Sequence, residues 1–166
     1  MAQITLKGNT IHTAGDLLPV GSTAPDFKLT NSSLEDVGLD QFAGKRKILS
    51  IVPSLDTGIC EKSAVQFNKD VADKQNVVLL NISADLPFAA GRVCSAHGLD
   101  AVVTLSSFRS PSFGQDYGVE IIDGPLAGLL SRAVIVLDEN NQVLYTEQVP
   151  EIAQEPNYTA ALAALG

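Results

Sequence analysis

Three mostly apolar runs, Lys47 to Val52, Val77 to Ile82 and Val102 to Leu105, are separated by two segments of helical length. This alternation constrains the fold more than any other feature of the chain. Short continuous apolar runs are strands buried on both faces, and strands that alternate with helices pair in parallel. The first helical segment, Ile59 to Asp73, offers Ala64, Val65, Phe67 and Val71 to a core. The second, Pro87 to His97, has proline in its first turn and Gly98 as its stop.

The flanks extend the pattern. Ile4 to Lys7 and Thr10 to Thr13 alternate around Gly8-Asn9 and predict an N-terminal β-hairpin. Phe27 to Leu29 predicts a short strand, Leu39 to Gly44 a turn or short helix, and Pro111 to Tyr117 a short helix. Ala133 to Leu137 and Val143 to Val149 form a hairpin around Asp138-Glu139-Asn140-Asn141, and Asn157 to Leu165 is a closing helix. Together these predict an α/β protein of the thioredoxin-like kind. It has an N-terminal β-hairpin extension and a mixed central sheet flanked by helices, in a single domain over residues 1–166.

Charge excludes some functions. Nineteen acidic residues face eleven Lys and Arg, a formal charge of −8. Neutralising phosphates needs clustered cations, so neither nucleic acid nor an anionic membrane is an expected partner. The one basic run, Lys45-Arg46-Lys47, reads as a solvated entry to a strand. No apolar run approaches the roughly 20 residues that span a bilayer. The first fifteen residues lack the charged start and apolar block of a signal peptide, so a cytoplasmic location is expected. His12 and His97 are too few and too far apart for a zinc site, and no nucleotide-binding glycine motif occurs. Neither a metal nor a cofactor is therefore expected.

Two cysteines, Cys60 and Cys94, remain. Thiols in a reducing compartment are catalytic, redox-sensing or inert. Cys60 falls in the first turn of the helix that follows a buried strand, after Pro53-Ser54-Leu55-Asp56-Thr57-Gly58-Ile59. Loops at the carboxyl ends of strands in α/β sheets are the usual ligand sites. A helix N-terminus favours thiolate over thiol, yet its typical strength gives under about one pKa unit. A cation or a hydroxyl donor is needed to go further. Thr57 offers the hydroxyl, Arg132 at the start of a later strand offers a permanent charge, and Pro53 shields the loop. Asp56 opposes them with a negative charge. The bland alternative is that Cys60 is a small buried hydrophobe.

Pro-x-x-x-Thr-x-x-Cys at a strand-to-helix junction resembles the active-site motif of the peroxiredoxins. Asp56-Thr57-Gly58-Ile59-Cys60 is similar to the thiol peroxidase branch, as are the N-terminal hairpin, Ser83-Ala84-Asp85-Leu86-Pro87-Phe88 and Arg132 before Ala133-Val134. The resemblance implies that Cys60 is the peroxidatic cysteine, oxidised to sulfenic acid. Thr57 would bond peroxide and thiolate, Pro53 would shield them, and Arg132 would stabilise their charge. The substrates would be hydrogen peroxide and alkyl hydroperoxides, the reductant thioredoxin, and the assembly a homodimer.

Cys94 lies 34 positions after Cys60, which is not the spacing of a disulfide oxidoreductase. Val65 stands where another peroxiredoxin branch places its second cysteine. Either the two form a permanent bridge, or Cys94 is the resolving cysteine that closes a disulfide only after sulfenic acid forms. The second is the expectation here, with the thiols apart until the helix starts unwind. Arg92 either lowers the Cys94 pKa or is simply solvated. The apolar, glycine-containing stretch Ile121 to Leu130 lines a pocket for the organic part of an alkyl hydroperoxide, or serves core packing or a dimer contact. A competing function for the same pair is a peroxide-sensing redox switch acting on a partner protein; a third reading is a structural protein with inert thiols. Turnover with a catalytic reductant separates enzyme from sensor.

Overall fold

The computed structural model describes residues 2–166. Its centre is a seven-stranded mixed sheet. The strands are β3 (Leu29–Thr30), β4 (Asp36–Val37), β5 (Arg46–Ile51), β6 (Val77–Ser83), β7 (Val102–Ser106), β8 (Ala133–Leu137) and β9 (Val143–Gln148). They lie in the order β4-β3-β7-β6-β5-β8-β9. As the apolar runs predict, β5, β6 and β7 pair in parallel, while β8 and β9 add antiparallel strands on one side.

Alternation along the strands splits the core into two layers. Ile48, Leu79, Val134 and Val136 meet Phe67 and Val71 of α1 (Gly58–Val71) and Ala161 of α4 (Tyr158–Ala164). On the other face Leu49, Ile51, Leu80 and Ile135 meet Phe27 and, from the α3 region (α3, Ser112–Asp116), Phe113 and Tyr117. Phe113 and Tyr117 stack with ring centroids 4.6 Å apart. A smaller cluster of Leu55, Ala64, Ala90 and Leu99 joins α1 to α2 (Pro87–His97). Gly98 ends α2 at φ 62°, a left-handed position that suits glycine.

The N-terminal strands β1 (Gln3–Leu6) and β2 (Asn9–His12) form the expected hairpin. Leu6 pairs with Asn9, so the turn residues are Lys7 and Gly8, one place earlier than the sequence suggests. Both have positive φ, as a two-residue hairpin turn requires. The hairpin docks on the C-terminal segment. Thr5 bridges Glu151, whose Oε1 accepts from the Gly8 amide at 2.9 Å and the Thr5 hydroxyl at 3.0 Å.

Other details depart from the sequence reading. The strand expected at Phe27 to Leu29 is displaced to Leu29–Thr30 and pairs with β4, a two-residue edge strand. Val65 is 40 % exposed, whereas Ala64, Phe67 and Val71 are buried. The basic run is not simply solvated. Lys47 is fully buried and donates to Asn141 Oδ1 at 2.5 Å, while Arg46 donates to the carbonyl of Leu165. Burial pulls the Lys47 ammonium below its ordinary pKa. No helix among the described residues is long and apolar enough to cross a membrane.

Candidate active site

Strand register assembles the site. Ile51 pairs with Ala133 across the antiparallel β5–β8 ladder. The chain leaving β5 toward Pro53 therefore starts beside Arg132, which enters β8. On its other side β5 pairs in parallel with β6, Ile51 against Ile82, and the Val52 amide extends that ladder to the Ile82 carbonyl at 2.9 Å. The loop 53–57 thus emerges between the entry to β8 and the exit of β6, and runs directly into α1.

Thr57 is the extended N-cap residue of α1, so Cys60 stands in the first turn as the sequence suggests. Cys60 is fully buried. Pro53 is buried, and Thr57 is exposed. The Thr57 hydroxyl donates to the carbonyl of Ser54 at 3.2 Å, so to donate to a ligand it must turn. Arg132 is 3 % exposed. Its Nε donates to the Ile152 carbonyl at 2.8 Å, and its Nη1 is buried without a partner. An unpaired buried guanidinium nitrogen is costly, and a charged or polar ligand would relieve it.

Pro53, Thr57 and Arg132 line one cleft of about 760 Å³. Its walls are mainly apolar, with Leu6 from the hairpin, Ile59 from α1 and Leu126 and Leu129 from the stretch singled out in the sequence. Lys7 from the hairpin and Lys62, one helical turn past Ile59, add two further cations that sequence reasoning missed. Helical spacing from Ile59 would have found Lys62. Another cleft, about 470 Å³ around Asp26 and Arg109, contains neither cysteine nor any of the site residues.

Cys94 is half-buried on α2, and both cysteines are free thiols. It lines a different cleft from that of Thr57 and Arg132, beside Asn31, Ser32 and Val103. Burial pushes its thiol above the ordinary pKa. Arg92 is exposed and does not enter that balance. The two cysteine-bearing helices are joined instead by His97 Nε2 and the carboxylate of Glu61. Asp85, quoted in the sequence only as part of a motif, holds the loop before Cys60. It accepts from the Ser54 hydroxyl and the Leu55 amide, each at 2.7 Å.

The redoxin family pattern matches residues 19–162 of this chain. Thiol peroxidase from Mycobacterium tuberculosis is 55 % identical over 166 residues, covering 100 % of this chain and 99 % of that protein. The chain belongs to the redoxin family, in the thiol peroxidase branch of the peroxiredoxins. Solved peroxiredoxin structures share its shape. A peroxiredoxin-like protein from Aquifex aeolicus superposes with a TM-score of 0.92 at 34 % identity, covering 99 % of this chain and 96 % of that one. Thiol peroxidase from Chromobacterium violaceum does so with a TM-score of 0.92 at 25 % identity, covering 98 % and 94 %. The sequence resemblance to peroxiredoxins and the thioredoxin-like α/β fold are therefore both borne out. The activity of this redoxin is that of a thiol peroxidase.

Proposed function

We propose that this peroxiredoxin reduces hydrogen peroxide and alkyl hydroperoxides through Cys60, with Cys94 resolving the product and thioredoxin restoring both thiols. The observation that carries the reading is the buried, partnerless Nη1 of Arg132 in the cleft that Pro53 and Thr57 also line.

The Cys60 thiolate attacks the terminal oxygen of the peroxide. An S–O bond forms, the O–O bond breaks, and the leaving alkoxide or hydroxide takes up a proton. Sulfur is oxidised by two electrons to sulfenic acid. Negative charge moves from sulfur onto the leaving oxygen, so donors fixed along that path stabilise the transition state more than the ground state. Arg132 supplies permanent charge and a free N–H, and Thr57 donates once its hydroxyl leaves Ser54. Pro53 keeps water off the sulfur. The apolar wall of Leu6, Ile59, Leu126 and Leu129 accommodates the alkyl group of an organic hydroperoxide.

The Cys94 thiolate then attacks the sulfenic sulfur and displaces hydroxide, which leaves as water. This precedes irreversible oxidation to sulfinic acid. Because Cys60 is fully buried in the first turn of α1 while Cys94 lines a cleft on α2, the starts of the helices must loosen for them to meet. A dithiol protein returns two electrons and two protons by disulfide exchange. The reading includes a homodimer of one-domain chains in the cytoplasm.

Intact mass after one equivalent of peroxide tests the assignment. The reduced protein should lose two hydrogens, Cys94→Ser should gain one oxygen, and Cys60→Ser should not change. Absence of reaction in all three would overturn it.

A further inference from the structure

Asp85 lies between β6 and α2, at a node that ties the loop before Cys60 to the centre of the sheet. Its own backbone is fixed first. The Asp85 amide donates to Ser83 Oγ at 3.2 Å, and its carbonyl accepts from Ser106 Oγ at 2.5 Å. Ser83 and Ser106 are opposite each other in the parallel β6–β7 pairing, so the node is anchored in two central strands.

The carboxylate then reaches across to the chain leaving β5. Oδ1 accepts from Ser54 Oγ at 2.7 Å, and Oδ2 accepts from the Leu55 amide at 2.7 Å and Ser83 Oγ at 2.9 Å. Ser54 passes the constraint onward. Its Oγ accepts from the Asp56 amide at 3.1 Å, and its carbonyl accepts from the Thr57 hydroxyl at 3.2 Å. Residues 54–57 are thus all referenced to one carboxylate. Hydrogen bonds to an ionised acceptor are stronger than neutral ones, and only a carboxylate accepts on both oxygens. An asparagine would turn an N–H₂ toward one of the two donor sets and lose that grip.

Asp85 also stands one residue before Leu86, the N-cap of the helix that carries Cys94, so a single residue connects the two segments whose relative movement the disulfide requires. We propose that Asp85 is a positioning residue acting through Ser54 and Leu55. It holds the 54–57 segment in the arrangement that reacts with peroxide, and its release lets the Cys60 segment unwind toward Cys94. The proposal rests on the peroxidase reading above. It predicts opposite effects on two steps: weakening the grip slows oxidation of Cys60 and speeds closure of the disulfide. A residue that merely supports the fold would slow both steps together as the melting temperature fell.

The test uses full-length reduced protein and hydrogen peroxide. Sulfenic acid formation is followed in the Cys94→Ser background, disulfide closure in protein with both cysteines by quenched intact mass, and Tm for each variant. Asp85→Asn should slow oxidation by about 10-fold or more, the scale of losing a charged hydrogen bond, and should speed closure. Asp85→Glu, which keeps the charge, should recover part of the oxidation rate. Ser54→Ala should shift both steps in the same directions by less. Both rates within twofold of the parent, or both reduced in parallel with Tm, would overturn the proposal. If Asp85→Asn does not fold, Ser54→Ala decides by the same two rates. Failure of the parent protein to react with peroxide would overturn the peroxidase reading and this proposal together. A reactive parent with unshifted variants would overturn this proposal alone.

Discussion

His97 Nε2 contacts the carboxylate of Glu61, joining the residue just after Cys60 to a residue one helical turn past Cys94. The side chains are 37 % and 32 % exposed, so solvent screens the pair. Pairs in such settings contribute about 0.2–1 kcal/mol. His97→Phe should therefore speed disulfide closure by no more than about fivefold, because it removes a tie between the helices. Sulfenic acid formation should be unchanged, since neither side chain lines the cleft of Arg132. Stopped-flow oxidation with quenched mass measurement separates the two steps.

Arg132 is held at one nitrogen and free at another, and this division gives a sharper expectation for the chemistry. Arg132→Lys keeps a positive charge but cannot both donate to Ile152 and present a forked donor set to the peroxide. Losing one aligned donor in a buried site costs about 100-fold or more in rate. The second-order rate constant for Cys60 oxidation should fall by that order in Arg132→Lys, and at least as far in Arg132→Met. A Lys variant that reacted at the parent rate would remove Arg132 from the mechanism.

Glu151 makes docking of the hairpin depend on acid. Hydrogen bonds from the Ala153 and Gly8 amides, with the Thr5 hydroxyl, hold its carboxyl at about 2, well below an ordinary value of 4.5. A depressed folded pKa contributes stability that is complete above the unfolded value. That contribution declines as pH falls from about 4.5 and is gone below about 2. Amide shifts of Gly8 and Ala153 followed by NMR should titrate together near the lower value. Glu151→Gln should weaken hairpin docking at neutral pH as well.

Cys94 carries the reverse sign. Burial raises its thiol above the ordinary value of 9.0, so folding favours the protonated form. That preference is harmless below the unfolded pKa and becomes a penalty as pH rises through the folded one. Alkylation of Cys94 in the folded Cys60→Ser protein should have an alkaline midpoint above 9.0 that falls on unfolding in urea. A midpoint at or below that of an unfolded cysteine would show that α2 does not bury the thiol in solution.

The parts of the fold that were legible are those written in local pattern. The apolar runs gave β5, β6 and β7, proline and glycine bounded α2, and the turn chemistry of Asp138 marked the β8–β9 hairpin. What escaped depends on partners distant in sequence. The burial of Lys47 is decided by Asn141, 94 residues away, and the edge strand β4 is fixed by Arg109, whose guanidinium meets Asp36 at 2.7 Å. Val65 was assigned to the core because it is apolar, but its place on the helix turns it to solvent. At the candidate site, Pro53 and Thr57 lie in the loop that runs into the helical turn of Cys60, and the three were read together. Arg132 was singled out through its motif, and the pairing of Ile51 with Ala133 is what brings it beside the loop that leaves β5. The grip of Asp85 on Ser54 spans 31 residues and two strands, and no local pattern announces it.

The bond from Arg132 to the Ile152 carbonyl also bears on biosynthesis. Cys60, its loop and the strands around it all leave the ribosome before residue 152 does. Until that carbonyl arrives, the guanidinium has no anchor and the hairpin has no Glu151 to dock on. If Arg132 serves Cys60 as proposed, the nascent chain carries that thiol without its fixed charge until the segment holding Ile152 has joined the fold.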